Sequence, residues 1–329
     1  MTIKNCFPKI SKSFIDHNTD FKILIDLLEK AFAENKVIVP KRHHHNFDNP
    51  NYSHPTTMLI MPAWTSGKDG GVKIVTVNPN NTKLNLPSIQ GSYVYLDALT
   101  GLKKADIEVT SLTSNRTAAT SALASKFLSH KRATSLLMIG TGSLAIPLIK
   151  AHKTVRDIKK VYLWGRNHHK TETIAKNLKY QNFTVEIAKK LNEVIPKADI
   201  ISSATLSSDP LIEGSYLRSG QHIDLVGSFK PTHRESDDEC ILKSTLFLDS
   251  LENLYEGGDI AIPLERELIG HSDIRADLFG LCQGKHSGRT SDSEITLFNS
   301  VGHALEDLIA ARYYYNLYLK FERKNKTDT

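Results

Sequence analysis

Cysteine is scarce in this sequence. Cys6, Cys240 and Cys282 are the three among 329 residues, far apart and in no C-x-x-C or Cys/His metal spacing. A disulfide framework is excluded, no metal site is expected, and a reducing, cytoplasmic setting is. Long apolar runs are missing too. No stretch approaches the ~20 residues that span a bilayer, and MTIKNCFPKISKSFIDHN at the start has no continuous apolar segment of the kind that directs export. The chain is expected to be neither exported nor membrane-embedded. Charge of one sign is thin as well: 42 Lys+Arg against 36 Asp+Glu leave +6, spread along the chain rather than gathered on one element with interleaved aromatics. That speaks against nucleic acid and for small anions as partners. What is present, 40% hydrophobic and 24% charged residues, is an ordinary globular composition, and the length suits two domains that each bury a core.

From residue 134 onward, short β-branched runs recur at helix-plus-strand intervals: SLLMI (135–139), VYLW (161–164), FTVEIA (183–188), DIISSAT (199–205), HIDLVG (222–227) and LFLD (246–249). This is the rhythm of a parallel sheet built from βα units, with SLAIPLIKAHKTV and KTETIAKNLKYQ as intervening helices. Residues 1–120 read differently. A helix is expected near 19–34, followed by the alternating segments MLIMPAW, VKIVTVN and SYVYLDA of an antiparallel or mixed sheet. LTSNRTAATSALASKFLSH (112–130) then reads as a helix entering the second domain, and VGHALEDLIAARYYYNLYLKFE (301–322) as a long closing helix. On its stripe of Tyr314, Tyr315, Leu317 and Tyr318 the simplest reading is core packing.

The sharpest chemical feature is Gly140-Thr141-Gly142-Ser143-Leu144-Ala145, a G-x-G-x-x-A between a strand and a helix. The first glycine permits a tight turn, the second lets a pyrophosphate reach the backbone, and the small third position lets helix and strand pack closely. A dinucleotide site is expected here. The second strand ends in Trp164-Gly165-Arg166-Asn167-His168-His169-Lys170, without the carboxylate that would bind a ribose diol. Arg166 offers a fork for a 2′-phosphate, with Asn167 and Lys170 as helpers, so NADPH is preferred and NADH expected to be weaker. Ala204-Thr205, Gly227-Ser228 and the loop at Gly302 should rim the same crevice, and Thr117 is counted with these cofactor residues.

The first domain offers cations. Arg116 is expected in the first turn of its helix, where the dipole disfavours a cation, so an anionic partner is implied. Lys73 lies in the strand-like GGVKIVTV and, taken alone, reads as a solvated lysine. Arg42 precedes His43-His44-His45, whose side chains alternate in direction along a strand and so do not converge on a metal. His54, before Pro55, is a candidate general acid.

These residues together resemble the ornithine cyclodeaminase and mu-crystallin family from about residue 37 to 320. The likeness rests on MPAW (61–64), GVK (71–73), LTSNRTAATSALA (112–124), IGTGSLA (139–145), SSAT (202–205), HIDLVGSFKP (222–231) with Glu235, and EITLFNSVGHALEDLIAA (294–311). The resemblance implies a doubly wound Rossmann-type domain, residues 123–304, inserted into a smaller α+β substrate-binding and dimerisation domain, residues 1–122 plus 305–329, working as a homodimer. It also implies that Arg42, Lys73 and Arg116 hold the carboxylate of an α-amino or α-imino acid. One departure is informative. Cyclodeaminases of the family resemble VGxDxPGKxE after the fifth strand, and Phe229 stands at the aspartate position here. A phenyl group cannot take a proton, so the pattern looks more like the ketimine reductases. The expected activity is NADPH-dependent reduction of Δ1-pyrroline-2-carboxylate to L-proline, with Δ1-piperideine-2-carboxylate giving L-pipecolate, the proton coming with the substrate as an iminium or from Lys73, His54 or a bound water. The alternatives are an ornithine or lysine cyclodeaminase with bound NAD, a non-enzymatic NADPH-binding crystallin-like protein, and an amino-acid dehydrogenase that uses ammonia.

Overall fold

The computed structural model describes residues 7–50, 55–228 and 230–327. The chain forms two compact units, Met1–Asp20 with Asn35–Arg116 and Ala304–Thr329, and Phe21–Glu34 with Thr117–His303.

In the first unit, strands β1 (Lys9–Ile10), β2 (His43–Phe47), β3 (Thr56–Thr65), β4 (Asp69–Val77), β5 (Ile89–Asp97) and β6 (Lys103–Glu108) form one sheet in the order β1-β6-β5-β4-β3-β2. Every neighbouring pair is antiparallel except β1 with β6. The pleat sorts side chains by parity. On β4 the residues Asp69, Gly71, Lys73, Val75 and Val77 share the buried face. The closing helix, Ala304–Thr327, packs on β3, β4 and β5, and its aromatic stripe is partly core as expected, with Tyr314 fully buried. The Tyr314 hydroxyl pairs with Thr19 Oγ1 at 2.9 Å and accepts from Asn115 Nδ2 at 3.2 Å, while the Tyr313 hydroxyl accepts from the Asp20 amide at 2.9 Å.

In the second unit, eight parallel strands lie in the order β13-β12-β14-β11-β10-β7-β8-β9. They are β7 (Ser135–Ile139), β8 (Lys160–Trp164), β9 (Thr184–Ile187), β10 (Ile200–Ser203), β11 (His222–Leu225), β12 (Thr245–Leu248), β13 (Ile274–Asp277) and β14 (Thr296–Asn299). The order reverses at β7, which has β8 on one side and β10 on the other. That is the switch point at which open α/β sheets take their ligands. The core runs from Leu137 and Ile139 through Ile201, Ile223 and Leu225 to Leu246, Leu248 and Leu297. All four residues of β11 are buried, Asp224 included, because Ser202 Oγ donates to its Oδ2 at 2.7 Å and His152 Nε2 lies 3.3 Å from the same oxygen.

The helix expected near 19–34 is α2 (Phe21–Glu34), preceded by a separate short helix, α1 (Lys12–Asn18), with the chain outside helical geometry at Thr19. Two expectations need correction. Helix α2 belongs to the second unit rather than to a domain of residues 1–122, since its buried Leu24, Ile25, Leu28 and Phe32 face that unit, with Phe32 edge-on to Phe279 at 4.9 Å. Helix α3 (Val109–Leu128) begins earlier than residue 112. Glu108 supplies the start, its carboxylate accepting from the Thr110 and Ser111 amides at 2.8 and 2.9 Å. Arg116 is therefore the eighth helical residue, and a helix N-terminus cannot be part of its receptor.

Two arginines close the other end of α3. Arg156 Nη2 donates to the carbonyls of Ser125, Lys126 and Ser129 at 2.9, 2.9 and 3.0 Å, and Arg289 Nε to that of Leu128 at 2.7 Å. These carbonyls lie in and just beyond the last turn of the helix, where intrahelical donors run out. Arg156→Met is expected to lower stability by about 2–3 kcal/mol, because several half-buried acceptors lose a charged donor together. A urea midpoint equal to that of the parent would count against this role.

Candidate active site

The glycine turn follows β7 as expected. Gly140 adopts φ +114°, and a Cβ there would lie 2.6 Å from the carbonyl oxygen of Ala204, so the turn tolerates no side chain. Gly142 differs: a Cβ would meet nothing within 4 Å. Helix α4 (Ala145–Val155) starts after Leu144, with Ala145 buried against the strand while Gly142 and Ser143 are exposed. Bare backbone, an outward-facing glycine and a helix N-terminus form the cradle that a pyrophosphate requires, so these residues fit a dinucleotide.

Arg166, Asn167 and Lys170 are exposed together at the end of β8. Asn167 is partly committed, because its Oδ1 accepts from the Lys170 amide at 3.0 Å as the N-cap of helix α5 (His168–Lys179). The two side-chain cations, on Arg166 and Lys170, are thus the groups suited to a phosphate.

The loops after β10 and β11 are joined by a residue to which the sequence reading gives no role. Glu235 Oε1 accepts from Ser203 Oγ, the Thr205 amide and Thr205 Oγ1 at 2.6, 2.6 and 2.7 Å, and Oε2 accepts from the Gly227 amide at 2.6 Å. Burial and the nearby Asp259 push its carboxyl up to about 7, against those hydrogen bonds. The Thr205 and Gly227 amides therefore brace the protein, leaving Ala204 and the Thr205 methyl to line a ligand. Asp249 acts likewise, its Oδ2 accepting from the Val301 and Gly302 amides at 2.9 and 2.7 Å. A buried acid beside a glycine-containing strand end is the available sequence signal, and it is a weak one.

In the first unit, Lys73 is 3% and Arg116 4% exposed. The anionic partner inferred for Arg116 is internal. Its Nη1 donates to Glu306 Oε2 at 2.5 Å and its Nε to Asp307 Oδ1 at 2.8 Å. Lys73 Nζ shares the same aspartate, 3.0 Å from Oδ1 and 2.8 Å from Oδ2. Burial and Arg116 pull the Lys73 ammonium down to about 8, with Arg42 acting the same way and Asp307 opposing. Burial pushes Asp307 up, but Arg116 and Lys73 hold it below the usual carboxylate range. Arg42 is half-buried and close enough to weigh on the Lys73 charge. Lys73 and Arg116 thus balance Glu306 and Asp307 in one buried cluster, with Arg42 nearby. A second buried pair lies along the same face of β4, where Arg312 donates from Nε and Nη2 to the two Asp69 oxygens at 2.6 Å each and Tyr95 donates to Oδ2 at 2.5 Å.

The structure thus brings Arg42, Lys73 and Arg116 into one unit and the glycine turn, Arg166, Lys170, Ala204, Thr205, Gly227, Ser228 and Gly302 into the other, with Thr117 directly after Arg116 on α3. His54 and Phe229 lie outside the described residues.

Comparison with known proteins gives the family of the chain. A Δ1-pyrroline-2-carboxylate reductase of Colwellia psychrerythraea is 37% identical over 306 residues, covering 92% of this chain and 96% of the relative. An uncharacterized protein of Schizosaccharomyces pombe is 41% identical over 322 residues, 94% and 97% of the two chains. The solved structure of Thermococcus litoralis Δ1-pyrroline-2-carboxylate reductase, in complex with NADH and L-proline, superposes with a TM-score of 0.89 at 32% identity, over 95% of this chain and 98% of that one. The model of one family matches residues 11–321, so the chain belongs to the ornithine cyclodeaminase/mu-crystallin family.

Proposed function

We propose that this protein is an NADPH-dependent reductase of cyclic ketimine carboxylates, converting Δ1-pyrroline-2-carboxylate to L-proline and Δ1-piperideine-2-carboxylate to L-pipecolate, and working as a homodimer in the cytoplasm. The observation that carries this reading is the buried cluster in which Glu306 and Asp307 hold Lys73 and Arg116, with Arg42 close enough to act on Lys73. Support comes from relatives whose names carry this activity and from the solved relative that holds NADH and L-proline. The nucleotide would be held by Thr141, Gly142, Ser143 and Leu144 at the turn, with Arg166 and Lys170 on a 2′-phosphate. When bound, it supplies a hydride to C2 of the imine.

The remaining tasks fall to this chain. Arg42 and Arg116 grip the substrate carboxylate, which sets the position of C2. Lys73 gives a proton to the imine nitrogen, and at about 8 its ammonium is acidic enough to do so near neutral pH and still largely protonated there. The pH dependence follows from that sign. The active form is the protonated lysine, so kcat/KM should be level below about 8 and fall roughly tenfold per pH unit above it. A profile still level at pH 9.5 would remove Lys73 from the donor role.

The deciding assay is NADPH oxidation with the five- and six-membered cyclic imino acids, run beside NADH and beside ornithine without added nucleotide. Turnover of either cyclic imine supports the reading. Ammonia release from ornithine alone would establish a cyclodeaminase instead, and nucleotide binding without turnover a carrier.

A further inference from the structure

We propose that Asp307 is a positioning residue, whose carboxylate ties the Lys73 ammonium and the Arg116 guanidinium to one shared anion and so fixes both donors for the substrate. This deepens the reductase reading and rests on it. Asp307 is fully buried and contacts Lys73 through both oxygens, at 3.0 and 2.8 Å, while Arg116 Nε takes Oδ1 at 2.8 Å. Lysine is a flexible point charge with four methylenes, and one hydrogen bond would leave its ammonium free to swing. Contact with both oxygens of a carboxylate that the guanidinium also holds leaves little such freedom.

The groups that bear on Lys73 come from every element packed round it. Arg116 on α3 and Arg42 before β2 disfavour its proton, and Asp307 on the closing helix favours it. Tyr93, opposite Lys73 on β5, is kept neutral by burial with Asp307 next in effect, and Glu306 is engaged by Arg116. Asp307 is thus the group that offsets two neighbouring cations at Lys73.

The test is Asp307→Asn, which keeps size and hydrogen bonding but removes the charge. Lys73 should then lose its proton at lower pH, so the alkaline fall of kcat/KM should move down by at least one pH unit, a loss of about fivefold or more at pH 8 that approaches tenfold at higher pH. KM for the imino acid should rise as Arg116 is released, with kcat recovering towards pH 6 and NADPH affinity within twofold of the parent. A merely structural aspartate would lower activity by a constant factor at every pH. The titration of Lys73 itself, followed by NMR of lysine-labelled protein with Lys73→Arg for assignment, needs no turnover. If the parent fails to reduce any cyclic imine, the activity reading falls while this titration still decides the role of Asp307. An unmoved Lys73 titration in Asp307→Asn overturns the proposal. Should that variant fail to fold, Asp307→Glu keeps the charge but displaces both donors. Lys73 should then titrate near its parent value while KM rises, and unchanged KM with unchanged titration would also reject it.

Discussion

Replacing Arg116 by Met together with Glu306 by Gln should lower kcat/KM for Δ1-pyrroline-2-carboxylate by about a thousandfold while leaving NADPH affinity nearly unchanged. A charged fork on a desolvated carboxylate contributes about 3–4 kcal/mol when it both binds and orients the reacting carbon. The paired substitution matters. Arg116 is also the internal partner of two buried acids, with Glu306 at 2.5 Å and Asp307 at 2.8 Å. Arg116→Met alone would strand buried negative charge, which costs about 3–5 kcal/mol, a large share of the ~5–15 kcal/mol that holds a domain together. An inactive single variant could simply be unfolded. In the double variant Glu306 is neutral and Asp307 keeps Lys73, so a loss of activity reports on the carboxylate grip. Full activity in a folded double variant would reject the assignment of Arg116, and a matching loss of NADPH affinity would show that the damage had spread to the second unit.

Arg166→Ala should erode the preference for NADPH over NADH by about tenfold, and Arg166→Ala with Lys170→Ala by up to about a hundredfold. Both side chains are exposed at the end of β8, and residues 161–171 contain no carboxylate to receive a ribose diol. A guanidinium matches a phosphate through two parallel hydrogen bonds and lysine adds a point charge. Exposure makes the effect salt-sensitive, so the ratio of kcat/KM for the two nucleotides should narrow as ionic strength rises. Because the substitutions lie on solvated positions, NADH kinetics should change little. A ratio unmoved in both variants would assign the 2′-phosphate to other groups.

How far the sequence reaches can be seen element by element. β7 is read to the residue as SLLMI, because a strand buried on both faces is a continuous apolar run. β13 escapes that logic: its IRAD is charged and partly exposed at the sheet edge. The insertion of β14 between β11 and β12 is a matter of long-range pairing that no local pattern carries. The start of α3 is hidden because Val109 and Thr110 are themselves β-branched and follow directly on β6, and the cap is a glutamate rather than one of the small polar residues usual there.

The site divides along the same line. The glycine turn is legible because its function lies in the backbone: Gly140 takes a φ that side chains disfavour, and Gly142 leaves bare backbone facing outward. Lys73 reads from its own strand as a solvated residue, although parity already places it with Val75 and Val77. Whether a lysine on that face is tolerated depends on a counter-ion, and Asp307 stands 234 positions away. Glu306 is 190 positions from Arg116.

The amino-acid order alone determined the nucleotide turn, the run of parallel strands after it and the set of cations in the first unit, since each is written in spacing, parity or backbone sterics within a few residues. Only the tertiary structure decided which of those cations are buried, what neutralises them and how acidic Lys73 becomes. Those properties come from burial and from Coulomb interactions between groups that the fold alone brings within 3 Å.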